Sequence, residues 1–201
     1  MMNLALATDF ITRQLQQKLP ANLIYHNAAH TLNDVLPACQ RLAQYYSLTS
    51  EQNILLVTAA LFHDLGYIQQ YNNNEIIGAK LATQVLPEMG YNSEQISRIS
   101  QLILATAMPQ EPNNLLEEII CDADLDSLWR EDYSQRSEEL RLELSYQNKH
   151  YSKQQWQLLQ IEFLQKHRYF CQAEAEQRAS GKLQNILLLR KQCCEQITKE
   201  S

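Results

Sequence analysis

A histidine and an aspartate stand side by side, His63-Asp64, at the end of the apolar run Ala59-Ala60-Leu61-Phe62. An apolar helix has no packing reason to finish in an imidazole and a carboxylate, and a buried carboxylate is costly unless a partner waits for it. A metal ion suits both side chains, and two other clusters can complete its ligands. Tyr25-His26-Asn27-Ala28-Ala29-His30 carries two histidines four apart, which share a helix face if the chain is helical at both. Surface or capped histidines are the better explanation of such a pair when it stands alone. Three of the chain's 5 histidines lie in these two clusters, however, which favours a joint role. In the third cluster, Ile119 to Leu128, Asp122, Asp124 and Asp126 alternate with apolar or small residues. A solvated helix end accounts for Asp126. Asp124, between Ala123 and Leu125, is expected to be buried and to require a cation.

The segments that must position these residues read as helices. Leu4, Ile11, Leu15 and Leu19 form one stripe, stopped by Pro20. A second helix is expected from Asn27, its N-cap, to Tyr46, with Pro37 kinking it or marking a joint. Thr49-Ser50-Glu51 opens a third, which carries Ile54 to Phe62, delivers His63-Asp64 and is expected to stop at Gly66. Helices follow over 75–89 and, after a Ser93 cap, 94–107; 109–114 is a break, and 115–128 is helical. From Glu131 to Ile197 the chain reads as helical, with breaks near 147–152 and at Ser180-Gly181. The reading is all-α, one domain over 1–201, with a metal-site core at about 25–128 and a C-terminal helical extension at about 131–199.

Composition narrows the function. Only 4 Gly and 5 Pro among 201 residues leave little turn chemistry for a many-stranded sheet. The net charge of −6, with no Lys/Arg stripe, argues against duplex nucleic acid as a partner. The N-terminal stretch lacks the pattern of a signal peptide or a transmembrane span, so no membrane association is expected. Five cysteines without a Cys-x-x-Cys spacing are neither a disulfide framework nor a zinc finger, and a reducing cytoplasm is the simplest setting.

Together the three clusters resemble the HD superfamily of metal-dependent phosphohydrolases, whose pattern is one His, then a His-Asp pair, then a distant Asp. The matching residues are His30, His63, Asp64 and Asp124, and the resemblance covers roughly Tyr25 to Leu128. It implies an HD-domain-like helical bundle with additional C-terminal helices. Trp156 to Phe170 looks like the C-terminal part of a small branch of predicted HD phosphohydrolases. The Tyr-His-Asn-x-x-His run is also similar to that of cyclic-nucleotide phosphodiesterases of the same superfamily. That likeness implies His30 as a metal ligand and His26 as general acid. An Ala-Asp-Leu context in those relatives selects Asp124 over Asp122, which is left to orient a ligand or a water from behind.

One departure from the family pattern matters. Where two-metal relatives carry further histidines, this chain has Asn74-Glu75 and Ala105-Thr106-Ala107-Met108-Pro109. A single divalent ion is therefore expected, and two imidazoles with two carboxylates suit Mn, Fe, Co, Ni or Zn. The implied activity is hydrolysis of a phosphate ester of a nucleotide or related small metabolite, by monoesterase or diesterase chemistry. The alternative is a catalytically weak HD-type module that binds metal and nucleotide for regulation. Oligomerisation through the C-terminal helices stays open.

Overall fold

The scarcity of turn residues has the expected consequence: every regular element among the described residues is helical. The computed structural model describes residues 1–200, with side chains through Glu195. Among the described residues there are nine α-helices and no strand: α1 (Leu4–Lys18), α2 (Leu36–Tyr45), α3 (Ser50–Phe62), α4 (Asn74–Val85), α5 (Ser93–Ala105), α6 (Leu115–Asp124), α7 (Tyr133–Tyr146), α8 (Lys153–Lys166) and α9 (Gln172–Glu200). They group into two compact units, Met1–Leu125 and Asp126–Ser201.

In the first unit α3 is the central helix. Its residues Leu55 to Phe62 are all buried, so it has no solvent face and needs neighbours on every side. α1, α2, α5 and α6 supply them. Thr58, the one polar residue in that run, bonds the Ile54 carbonyl at 2.7 Å and the Tyr91 hydroxyl at 2.8 Å. The start of α3 is fixed by a capping box, in which Thr49 accepts from the Gln52 amide and Gln52 reaches back to Thr49. The same device starts α5, but the cap is Asn92 and not Ser93: Asn92 has extended backbone, and its Oδ1 accepts the Gln95 amide at 2.9 Å.

Two expected joints take a different form. α3 ends at Phe62, and Gly66 lies inside the 3-10 turn Leu65–Ile68 that follows. What Gly66 provides is closeness: a Cβ there would stand 1.9 Å from the Asn74 carbonyl oxygen, so the start of α4 rests directly on this turn. Upstream of α2, residues His30–Val35 form a π-helical turn, and Pro37 sits in the first turn of α2. Proline cannot donate to the preceding turn, and the wider π turn is where the helix absorbs the mismatch. Pro37 thus marks the joint the sequence suggests.

The second unit has a polar interior. The Trp156 indole donates to Ser137 O and Oγ, Tyr133 Oη donates to Gln160 at 2.7 Å, and Asn185 Nδ2 donates to the carbonyls of Leu128 and Arg130. The break expected at Ser180-Gly181 is absent. α9 runs through it, because a Cβ at Gly181 would lie 2.3 Å from the Trp129 carbonyl oxygen, and the bare backbone is what seats the helix there. The break lies instead at 167–171, ahead of α9. His167 accepts from Lys182 at its Nδ1, and burial with that cation pushes its pKa down to about 4.

Candidate metal centre

Four side chains from three chain segments meet in the first unit. His30 opens the π turn, whose entry is held by Asn27: its Oδ1 accepts the amides of Ala29 at 2.8 Å and His30 at 3.2 Å. His63 and Asp64 leave the end of α3, and Asp124 is the last residue of α6. Their contacts converge. His30 Nε2 lies 3.2 Å from Asp124 Oδ1 and 3.6 Å from Asp64 Oδ2. His63 Nε2 lies 3.1 Å from Asp64 Oδ2 and 3.4 Å from Asp124 Oδ1. One ligand atom from each of His30, His63 and Asp124 falls within 4.8 Å of the other two. The imidazoles are almost fully buried, whereas Asp124 keeps 19% of its side-chain surface and marks the open side of the cluster.

Two observations say that the cluster suits a cation. His63 Nδ1 is 2.7 Å from the Ala60 carbonyl oxygen, which can only accept, so Nδ1 donates there and Nε2 is the nitrogen that faces the carboxylates. His63 Nε2 and Asp64 Oδ2 are both buried and, although close, have no hydrogen-bond partner. An unsatisfied buried nitrogen and oxygen aimed at the same space are what a divalent ion would satisfy.

The electrostatics agree. Burial opposes charge on His63, but the Asp64 charge and the nearby Asp124 carboxylate outweigh it and raise its pKa well above the usual value; His30 is raised in the same way by Asp124, Asp34 and Asp64. Burial likewise opposes charge on Asp124 and Asp64, yet the two histidines hold both carboxyls below their ordinary range. In the metal-free protein, protons on the imidazoles therefore take the place of a cation. Because the folded-state pKa values of the histidines are raised, the stability they contribute is complete below the unfolded value of about 6.5 and is lost as pH rises through the folded values. A metal must displace those protons, so its apparent affinity rises with pH. Thermal melts in chelator should fall as pH increases above about 6.5, while melts with Mn²⁺ hold, so that the gap between them widens. A metal-free melting temperature that stays flat over this range would contradict the assignment.

The other candidates from the sequence are not members of this cluster. His26 lies in a bend just before the helix begins, so it does not share a helix face with His30. Its ring still stands 5.9 Å from that of His30, held among Tyr25, Tyr67 and Tyr71 at 4.8, 4.7 and 6.3 Å. Asp122 is buried but is not part of the His30–His63–Asp124 group, being about 200° around the helix from Asp124. Asp126 is not solvated: it is 7% exposed and accepts from the Trp129 indole at 3.2 Å.

Three further residues belong to the surroundings; the sequence marks Asn74 and Glu75 only as the place of a missing histidine and does not mark Asp34. Asp34, one turn after His30, has its carboxylate 3.8 Å from His30 Nδ1, and i,i+4 spacing was the available signal. Asn74 donates to Asp64 Oδ1 at 3.3 Å. Glu75 is half-buried, and burial together with the charges on Asp64 and Asp124 pushes its carboxyl up.

A family model described as HD domain matches residues 27–128, about half of the chain, and this span contains all four clustered residues. The chain belongs to the HD-domain family. Its members are typically metal-dependent phosphohydrolases that bind divalent ions, and the buried His and Asp cluster is compatible with that chemistry. Comparison with curated proteins and with solved structures found no match. No described helix is long and apolar enough to cross a membrane.

Proposed function

We propose that the protein hydrolyses a phosphate ester of a nucleotide or related small metabolite, with His30, His63, Asp64 and Asp124 holding one divalent ion of the Mn, Fe, Co, Ni or Zn class. The observation that carries this reading is the pair of orphaned buried atoms, His63 Nε2 and Asp64 Oδ2, inside a cluster that already contains His30 and Asp124. When bound, such an ion supplies Lewis acidity toward a phosphoryl oxygen and lowers the pKa of a water.

The chain's own residues do the rest. The Ala60 carbonyl keeps the His63 proton on Nδ1, and Asp34 faces Nδ1 of His30, so both Nε2 atoms are presented to the centre. As water attacks phosphorus and the ester P–O bond breaks, the leaving oxygen needs a proton. We assign this role to His26, a reading supported by its position beside His30 and its partial exposure. Its packing against Tyr67 restricts where the ring can point.

A screen of phosphorylated metabolites with Mn²⁺, Co²⁺, Ni²⁺, Zn²⁺ and Mg²⁺, with nucleotide binding measured in parallel, tests the proposal. Metal-dependent release of phosphate or of a nucleoside monophosphate is expected. Binding of nucleotide and metal without turnover on prolonged incubation would show a regulatory module instead.

A further inference from the structure

We infer that Asn74 is a positioning residue that assigns the two oxygens of Asp64, keeping Oδ1 for the protein and leaving Oδ2 for the metal. The inference rests on the metal reading above and adds a residue and a coordination mode to it. Asn74 is the first residue of α4 and is 4% exposed. Its Nδ2 stands 3.3 Å from Asp64 Oδ1. A carboxylate can only accept, so the amide nitrogen is necessarily the side of Asn74 that faces it.

The consequence appears on the other oxygen. Asp64 Oδ2 is buried with no hydrogen bond and lies 3.1 Å from His63 Nε2 and 3.6 Å from His30 Nε2. One oxygen is thus occupied by an uncharged donor and the other is reserved, so Asp64 ligates through a single atom. A free carboxylate could instead rotate, chelate through both oxygens, or share itself with a second ion.

The backbone explains why the amide holds its place. Asn73, immediately before α4, adopts the left-handed conformation at φ 57°, which turns the chain into the helix. The Asn74 carbonyl then rests on Gly66, two residues beyond Asp64, with the room that a Cβ would have filled. The donor and its acceptor are therefore carried by two segments locked together at the backbone, and the bond does not depend on a flexible loop.

The test is Co²⁺ titration of the wild-type protein and of Asn74→Leu and Asn74→Ser, following affinity by calorimetry and coordination by the visible absorption of bound Co²⁺. Leucine keeps the branching and the number of side-chain heavy atoms and removes the donor, though it is bulkier; serine is smaller and shortens the side chain, so it carries the test if the leucine variant does not fold. Both variants should bind Co²⁺ about 10–100-fold more weakly. Their Co²⁺ spectra should also change in band position and intensity, as the freed Oδ1 enters the coordination sphere. Wild-type affinity and spectrum in the folded variants would overturn the inference alone. A wild-type protein that takes up no Co²⁺ would overturn the metal reading and this inference with it.

Discussion

Replacing His63 by alanine should abolish stoichiometric metal binding and lower hydrolysis by about 10³-fold or more, the equivalent of about 4 kcal/mol of transition-state stabilisation. The size of the effect follows from the position of the ring. Its Nε2 is buried without a hydrogen-bond partner, and both carboxylates lie within 3.4 Å of it. Its Nδ1 is tied to the end of α3 through the Ala60 carbonyl, which holds Nε2 toward the carboxylates. Removing the ring also leaves Asp64 and Asp124 facing each other across a space with one imidazole fewer to balance them. Metal content and turnover should therefore be lost together. A variant with full turnover would remove His63 from the site.

His26→Ala should behave in the opposite way with respect to metal. It should keep the ion and lose about 10²–10⁴-fold in rate, the range usual for a general acid. The loss should be greatest for alkyl phosphates, whose alkoxide leaving groups need the proton, and small for nitrophenyl esters, whose phenolate leaves without one. His26 lies outside the His30, His63 and Asp124 group that could hold an ion, and its ring packs against those of Tyr25, Tyr67 and Tyr71. This division between metal content and rate separates a proton donor from a ligand. Unchanged rates on alkyl esters would exclude His26 from the mechanism.

The parts of the site that could be read from the sequence are those that burial logic reaches. His63-Asp64 stood out because an apolar run ended in two polar groups, and Asp124 because it lay between Ala123 and Leu125. The helices that carry them follow from apolar periodicity and from caps such as Thr49 and Asn27. What escaped depends on closeness between segments far apart in the chain. Gly66 read as a helix terminator, but it is the seat for the Asn74 backbone; Gly181 read as a break and instead seats α9 on Trp129. Asn74 read as the place of a missing histidine, whereas its amide bonds Asp64. Asp126 read as solvated because its partner, the Trp129 indole, is reached only after the 3-10 turn forms. Periodicity reports which residues are buried. It does not report which oxygen of a carboxylate meets which donor.

The most direct measurement is elemental analysis of the wild-type protein purified without chelator, combined with thermal melts after metal removal and return. One equivalent of a divalent transition metal per chain is expected, lost to chelator with a fall in melting temperature and restored by Mn²⁺, Fe²⁺, Co²⁺, Ni²⁺ or Zn²⁺. A protein that carries no stoichiometric metal, and whose melting temperature responds to none of these ions, would contradict the assignment of His30, His63, Asp64 and Asp124 as a metal centre.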